Sequence, residues 1–264
     1  MIGFPNRIDD STLSNGTWQS TLGLANLKNR ILGKVARSTA ATLASTKLDI
    51  DLSTAQTIRI VSAINHNLTI NALARVRGST VSDFATNVYD TGWVSAWSYA
   101  YSAEQREGFT AAFVHILSAD TSARYWRVEF DDTANPDGYV QIGRVFIGPS
   151  WSPAINISFG AELSWNTSTD VQQSASGVEY FYRRAPYRIQ NVKMDFLTVD
   201  EGMSNAFEIQ RLAGIDAEVF WIYDPDDTVH ALRRQFLGRL QTLNPIIDPY
   251  FGFTSTSFSI KEII

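Results

Sequence analysis

The stretch that most constrains the fold is residues 123–148, ARYWRVEFDDTANPDGYVQIGRVFIG. Trp126, Val128 and Phe130 alternate there with Tyr125, Arg127 and Glu129. A period of two sends successive side chains to opposite faces, so one face is buried and the other is amphipathic. Residues 131–138 interrupt the ladder. Pro136 has no amide proton to donate, and Asp137-Gly138 supplies a turn where positive φ is tolerated. The extended pattern resumes over residues 139–147, with Gly143 as a candidate bulge. Two strands around one turn read as a hairpin.

The same periodicity recurs upstream. Leu48, Ile50 and Leu52 alternate with Lys47, Asp49 and Asp51. Ile58, Ile60 and Ile64 are expected on one face of a second strand. Asn65-His66-Asn67 reads as a turn, and Leu68, Ile70, Ala72, Ala74 and Val76 as the inward face of the returning strand. Residues 113–117 add another strand. Short strands at this spacing, with almost no helical periodicity, predict a β-sandwich. Residues 1–29 are polar and turn-rich, and residues 31–46 fit either a strand pair or a loose helix. Residues 78–108 form a long irregular segment rich in aromatics, of the kind that is functional or pinned by partners.

Residues 148–153, GPSWSP, favour an extended connector, which divides the chain into residues 1–149 and 150–264. In the second half, residues 155–159 and 178–182 read as strands around a polar insert, 166–176. Another strand covers 187–197, with Ile189, Val192, Met194 and Phe196 apolar. One helix follows. Asp200 is the expected cap, Glu201 suits the positive end of the helix dipole, and Ala206, Ile209, Leu212 and Ala213 recur at helical spacing with Met203 and Phe207. Gly214 is the expected stop. Residues 218–223, 236–243 and 253–260 read as the remaining strands.

Composition removes several function classes. The net charge of −5 argues against a primary nucleic-acid binder. There is no cysteine, so disulfides, thiolate metal sites and cysteine nucleophiles are excluded. The opening residues, MIGFPNRIDD, lack a signal-peptide pattern, and no apolar run approaches the roughly 20 residues that span a bilayer. A soluble chain without membrane insertion is the expectation. His66, His115 and His230 read as surface or packing residues. Asp224-Pro225-Asp226-Asp227 reads as a turn capped by Asp227, since it lacks the alternating ligands and distal Glu of a calcium loop. Asp131, Asp132 and Asp137 give no ligand pattern either. No metal, no cofactor and no catalytic residues are expected, because no carboxylate pair, nucleophile elbow or phosphate loop is marked.

Two groups of residues are candidates for binding. Trp93, Trp97, Tyr99 and Tyr101 have ring faces that can stack on sugars; the competing reading is that they are buried plugs or subunit contacts. Tyr180, Tyr182, Arg183, Arg184, Tyr187 and Arg188 interleave cations and aromatics, which fits a subunit interface better than a nucleic-acid strip in an acidic chain. Charged residues make up only 19%, below the usual share of about 25%, and such a surface is often covered by partners.

The run YWRVEF…NPDGYVQIGRVFIG resembles the closing hairpin of galactose-binding-like (discoidin-type) β-sandwiches, in the version found in tailed-phage structural proteins. The segments FYRRAPYRIQNVKMDFLTVD and RRQFLGRLQTLNPIIDPYFGFTSTSFSIKEII are similar to distal-tail or minor-tail modules. The resemblance implies a mainly β chain: a galactose-binding-like jelly-roll sandwich with an N-terminal extension, then a tail-tube-like β-sandwich with one α-helix. It implies a structural component of a phage tail tip, made in the bacterial cytoplasm and located in the virion. Its partners would be itself, as a homo-oligomeric ring, other tail proteins and host-surface glycan. A stand-alone glycan-binding or receptor-binding module is the alternative, and a polysaccharide-degrading subunit is a third reading.

Overall fold

The computed structural model describes residues 1–264. In chain order the strands are β1 (Ile2–Gly3), β2 (Thr12–Ser14), β3 (Ala36–Arg37), β4 (Leu48–His66), β5 (Leu73–Ser79), β6 (Asn87–Asp90), β7 (Val94–Ser95), β8 (Ala112–Asp131), β9 (Gln141–Gly148) and β10 (Ser150–Trp151). They continue as β11 (Glu162–Asn166), β12 (Asp170–Gln173), β13 (Glu179–Tyr182), β14 (Tyr187–Thr198), β15 (Glu218–Ile222), β16 (Gln235–Thr242), β17 (Ile247–Tyr250) and β18 (Phe253–Glu262). Helical segments are α1 (Ala103–Arg106), α2 (Glu208–Ala213) and α3 (Ala231–Arg234). The chain is mainly β. It divides into unit 1, Met1–Trp151 with Ile222–Phe236, and unit 2, Ser152–Trp221 with Leu237–Ile264. The first unit thus runs two residues past the expected 1–149 boundary and also takes in residues 222–236.

Unit 1 is a two-layer sandwich built on one long antiparallel ribbon, β4 with β8. The ribbon is interrupted twice, between Asp51 and Gln56 and between Ile58 and Ile60. Ser53, at φ 66°, sits in the first break. On one side of it, β8 carries β5 as its outer neighbour, Leu48 pairs with Val128, and β2 edges β4. On the other side, β4 pairs with β9, and β9 with β3. Both halves send side chains into one core: Leu48, Ile50, Trp126, Val128 and Phe130 from the first, Val61, Ala63, Phe113, Val145 and Ile147 from the second. Gly78 lies opposite Trp126, and a Cβ there would meet the indole at 3.0 Å.

Four sequence expectations are corrected here. Residues 123–148 are not a hairpin, because β4 lies between β8 and β9. The connecting segment crosses the end of β4 and is tied down by amides. Asn135 Nδ2 donates to the Asn67 carbonyl (3.0 Å) and to Asp132 (2.8 Å), Thr69 donates to Asp132 (2.6 Å), and Asn67 Nδ2 donates to Asp137 (2.8 Å). Likewise β4 and β5 are not a hairpin; β8 separates them. The break at residues 58–60 shifts the face, so Ile58, Val61 and Ala63 join the core while Ile60 packs beside Gly3. Gly143 is not a bulge, since pairing runs on through it. A Cβ there would lie 2.5 Å from the Leu32 carbonyl.

The N-terminal residues are part of this unit. Leu24–Lys28 is a 3-10 turn that buries Leu27. Residues 31–46 are mostly turns and bends around β3, neither a strand pair nor a helix.

Unit 2 holds the sheet order β15-β16-β18-β14-β11, with β17 on β18. Its core comes from Val192, Met194, Leu197, Val219, Phe220, Leu240, Phe258 and Ile260. A bulge between Met194 and Leu197 reverses the face, which turns Phe196 outward while Met194 and Leu197 are buried. The strand expected at residues 155–159 is absent; β11 follows it instead.

The helix is capped two residues earlier than expected, at Thr198 rather than Asp200. Thr198 Oγ1 accepts from the Glu201 amide (3.2 Å) and Glu201 accepts from the Thr198 amide (3.1 Å), a reciprocal cap. Asp200 is already helical and accepts from Ser204 Oγ instead. Residues 201–207 form a π-helical turn leading into α2, and Gly214 ends it with φ 54°. Ala206, Ile209 and Ala213 are buried; Met203, Phe207 and Leu212 face out.

Candidate functional site

In unit 1 the four aromatic candidates split into two pairs. Trp97 and Tyr101 are buried. Trp97 Nε1 donates to the Thr69 carbonyl (2.9 Å), and its ring meets His66 edge-on at 5.1 Å. Tyr101 donates to the Thr228 carbonyl (3.0 Å) and accepts from the Leu232 amide (3.3 Å). These two side chains tie residues 95–101 to their surroundings, so neither offers a free ring face. Trp93 and Tyr99 are 39% and 46% exposed and do offer one. Tyr99 packs edge-on to Tyr101 at 5.5 Å.

A cleft of about 200 Å³ is lined by Trp97, Ser98, Tyr101, Val114, Asp227 and Gln235 among others. Residues 222–236 form one wall, which the sequence reading assigned to the other half of the chain. Asp227 Oδ1 accepts from the His230 amide (2.8 Å), as expected of a turn ahead of α3. The cleft pairs apolar walls with hydroxyl, amide and carboxylate groups, which suits a small hydrogen-bonding ligand. Two histidines in this unit have their pKa values pushed down by burial, His66 to about 3 and His115 to about 4. His66 Nδ1 accepts from the Leu68 amide (3.2 Å), and His115 Nε2 shares a hydrogen bond with Tyr89 (2.7 Å). Both are neutral packing groups at neutral pH.

In unit 2 the basic-aromatic strip also divides. Arg188 is 1% exposed and makes a bidentate ion pair with the buried Glu262, through Nε at 2.8 Å and through Nη2. It is a core residue of this unit. Tyr187 is half-buried, with the Lys261 ammonium 4.0 Å from its ring centroid. Tyr180, Tyr182, Arg183 and Arg184 are exposed.

The exposed part of the strip belongs to a feature that the sequence reading missed. β12 and β13 pair only with each other, as a two-stranded arm. Every residue of both strands is exposed. Asp170 opposes Tyr182, Val171 opposes Phe181, and Gln172 opposes Tyr180. One face therefore carries Val171 and Phe181, and the other Tyr180 and Tyr182. The sequence signal was present in the alternation of residues 178–182, but the partner strand was read as a polar insert.

A second exposed apolar surface in unit 2 surrounds the β17–β18 turn. Phe251 at the turn is fully exposed, beside Tyr250 and Phe253. Phe196, turned out by its bulge, stacks on Tyr250 at 6.1 Å and meets Phe253 edge-on at 6.2 Å. A groove of about 510 Å³ runs there between Val199 and Met203 on one side and Asp248 to Phe253 on the other. The aromatic run PYFGF, interrupted only by a glycine, was its sequence signal.

No family model matches the chain, and no curated protein matches it either. Among solved structures, the lectin-binding domain of Lectinolysin complexed with Lewis b is 14% identical, at a TM-score of 0.42 over 57% of this chain and 100% of that one. A Streptococcus pneumoniae fucose-binding module is 14% identical, at a TM-score of 0.39 over 55% of this chain and 96% of its own. The family 32 carbohydrate-binding module of C. perfringens NanJ, in complex with galactose, is 6% identical, at a TM-score of 0.40 over 56% of this chain and 98% of that one. Likeness at this level transfers no residue and no ligand from those proteins to this chain.

Proposed function

We propose that this chain is a structural subunit whose second unit assembles copies into a ring, while its first unit is a recognition module for glycan or for neighbouring proteins. The observation that carries the assembly reading is the β12–β13 arm, exposed along its whole length with aromatic side chains on both faces. A two-stranded hairpin alone in water is marginal, and one that displays rings on both faces gains its stability by docking. The edge strand β11 is likewise wholly exposed, and ring closure is one way to cover such edges. The resemblance of the second half to distal-tail and minor-tail modules supplies the setting: the tail tip of a tailed bacteriophage, with assembly rather than catalysis as the activity. Mass photometry and negative-stain images of the full chain test the reading. A discrete closed oligomer is expected; a monomer at every concentration overturns self-assembly.

A second reading, a stand-alone glycan-binding module, is favoured by the exposed rings of Trp93 and Tyr99, the latter packed against Tyr101 of the cleft lining. Under it the purified chain binds a glycan array as a monomer, and Trp93→Ala with Tyr99→Ala abolishes the signal.

A further inference from the structure

We propose that the arm of one copy inserts into the Phe251 groove of the next, so that the contact runs head to tail between two different surfaces of unit 2. The occupant is a second copy of this chain, and the inference rests on the self-assembly reading above. Three observations on the molecule point to it.

The first is chemical match. The arm offers Val171 and Phe181 on one face, and the groove offers Val199, Met203, Tyr250, Phe251 and Phe253. Both surfaces are exposed and present apolar side chains, those of the arm flanked by Gln173 and Glu179 on the same face, and together they supply both halves of a ring-on-ring contact.

The second is charge. Arg183 and Arg184 follow the arm directly, both exposed, and neither guanidinium has an ion-pair partner. Asp248 lines the groove, exposed and equally without an ion-pair partner. Asp200, next to Val199 of the groove, is also exposed and forms no ion pair; it accepts a hydrogen bond from Ser204 Oγ (3.0 Å). The end of β13 thus brings two cations to a groove with free carboxylates, while the arm's own acids, Asp170 and Glu179, lie on its strands. Arginine joins such a carboxylate through two parallel hydrogen bonds.

The third is geometry. The arm and the groove are different patches of one unit, so their pairing is heterologous. Heterologous contacts close into rings when the rotation between copies allows it, whereas a patch that pairs with itself stops at a dimer.

Because the chain has no cysteine, single substitutions can report this contact without background. Phe181→Cys and Phe251→Cys are prepared separately in the full chain, with circular dichroism to verify folding. Both sites are exposed, so neither change empties the core. Each variant alone, and then the two mixed, is treated with a disulfide-forming oxidant and with a short bis-maleimide. The expected result is a cross-linked pair in the mixture, absent from either variant alone. A cross-link within Phe181→Cys alone means that arms meet arms, and overturns the proposal. If wild type forms closed oligomers yet the mixture gives no cross-link, the arm-in-groove contact is wrong while self-assembly stands. If wild type is monomeric throughout, self-assembly falls and this contact with it. A second measurement uses charge. Asp248→Arg should dissociate the oligomer, and adding Arg183→Asp and Arg184→Asp to the same chain should restore it. Loss without recovery also overturns the ion-pair part of the contact.

Discussion

Unit 1 and unit 2 are made of the same kind of strands, yet they treat apolar side chains in opposite ways. In unit 1 the alternating residues of β8 point Trp126, Val128 and Phe130 into a closed core, and the charged residues between them pair across the sheet. Arg127 meets Asp49, and Glu129 meets Arg77 and Lys47. In unit 2 the strands β11, β12, β13 and β17 are exposed along their whole length, and the helix shows Met203, Phe207 and Leu212 to solvent. The difference teaches where each unit's specificity resides. Unit 1 closes most of its apolar side chains into one core. Unit 2 leaves apolar strands and a helix face outside, and these are the surfaces that the proposed assembly would cover.

The comparison can be broken at the two cores. Trp126→Ala should destabilise unit 1 by about 3–5 kcal/mol, since the indole is fully buried opposite Gly78. Glu262→Gln should cost unit 2 about 3–5 kcal/mol, because it strands the buried Arg188 guanidinium. Hydrogen exchange read by mass spectrometry separates the effects. Peptides from β4 and β8 should lose protection in the first variant, and peptides from β14 and β18 in the second. Loss of protection across both units in either variant would mean that the units are not energetically distinct.

A pH titration sharpens the same contrast. His66 carries a pKa of about 3 in the folded chain against 6.5 unperturbed, from burial first and the nearby Arg106 charge second. The unfolded chain therefore binds the proton more readily. The stability held by the neutral ring is complete above about pH 6.5 and falls as pH drops toward 3, by about 1.4 kcal/mol per pH unit. His115, lowered to about 4, acts in the same direction. The other histidine, His230, is exposed and lies on the segment that returns to unit 1. No histidine lies in unit 2, so mild acid should loosen unit 1 first. Denaturant midpoints at pH 7 and pH 5 check this, and His66→Gln should flatten the dependence. An unchanged midpoint in wild type would contradict the buried neutral ring.

The sequence exposed faces better than it exposed neighbours. Alternation at residues 48–52 and 126–130 reported burial correctly, because a half-buried strand must alternate to stay on its sheet. Strands at 187–197, 218–223 and 253–260 were legible as well, the second as a continuous buried run rather than by alternation. Pairing was not, since β4 enters between β8 and β9 from far away in the chain, and no local pattern encodes that order. Nor were the face reversals at Ile58–Ile60 and Met194–Leu197, where one bulge undoes a period of two. The candidate site shows the same limit. Trp97 and Tyr101 differ from Trp93 and Tyr99 only in distant hydrogen-bond partners at Thr69 and Thr228. Arg188 differs from Arg183 only in lying opposite Glu262.

The smallest effect on stability should come from the arm, and it tests the contrast most directly. Replacing Tyr180, Phe181 and Tyr182 by serine removes three rings that are each more than half exposed, on a strand that pairs with β12 alone. Exposed substitutions of this kind usually move stability by no more than about 0.5 kcal/mol each. Unfolding of the variant by urea should therefore follow wild type closely. Its assembly should not, because the removed rings are what the arm has to offer a partner. The oligomer seen by mass photometry should shift to monomer at concentrations where wild type stays assembled. A large stability loss would place the rings in unit 2's own core and remove the reason to expect a partner. Unchanged stability with unchanged assembly would leave the arm idle and move the interface to β11 or to the Phe251 groove. Only the combination of preserved folding and lost assembly fits a surface that exists to be covered.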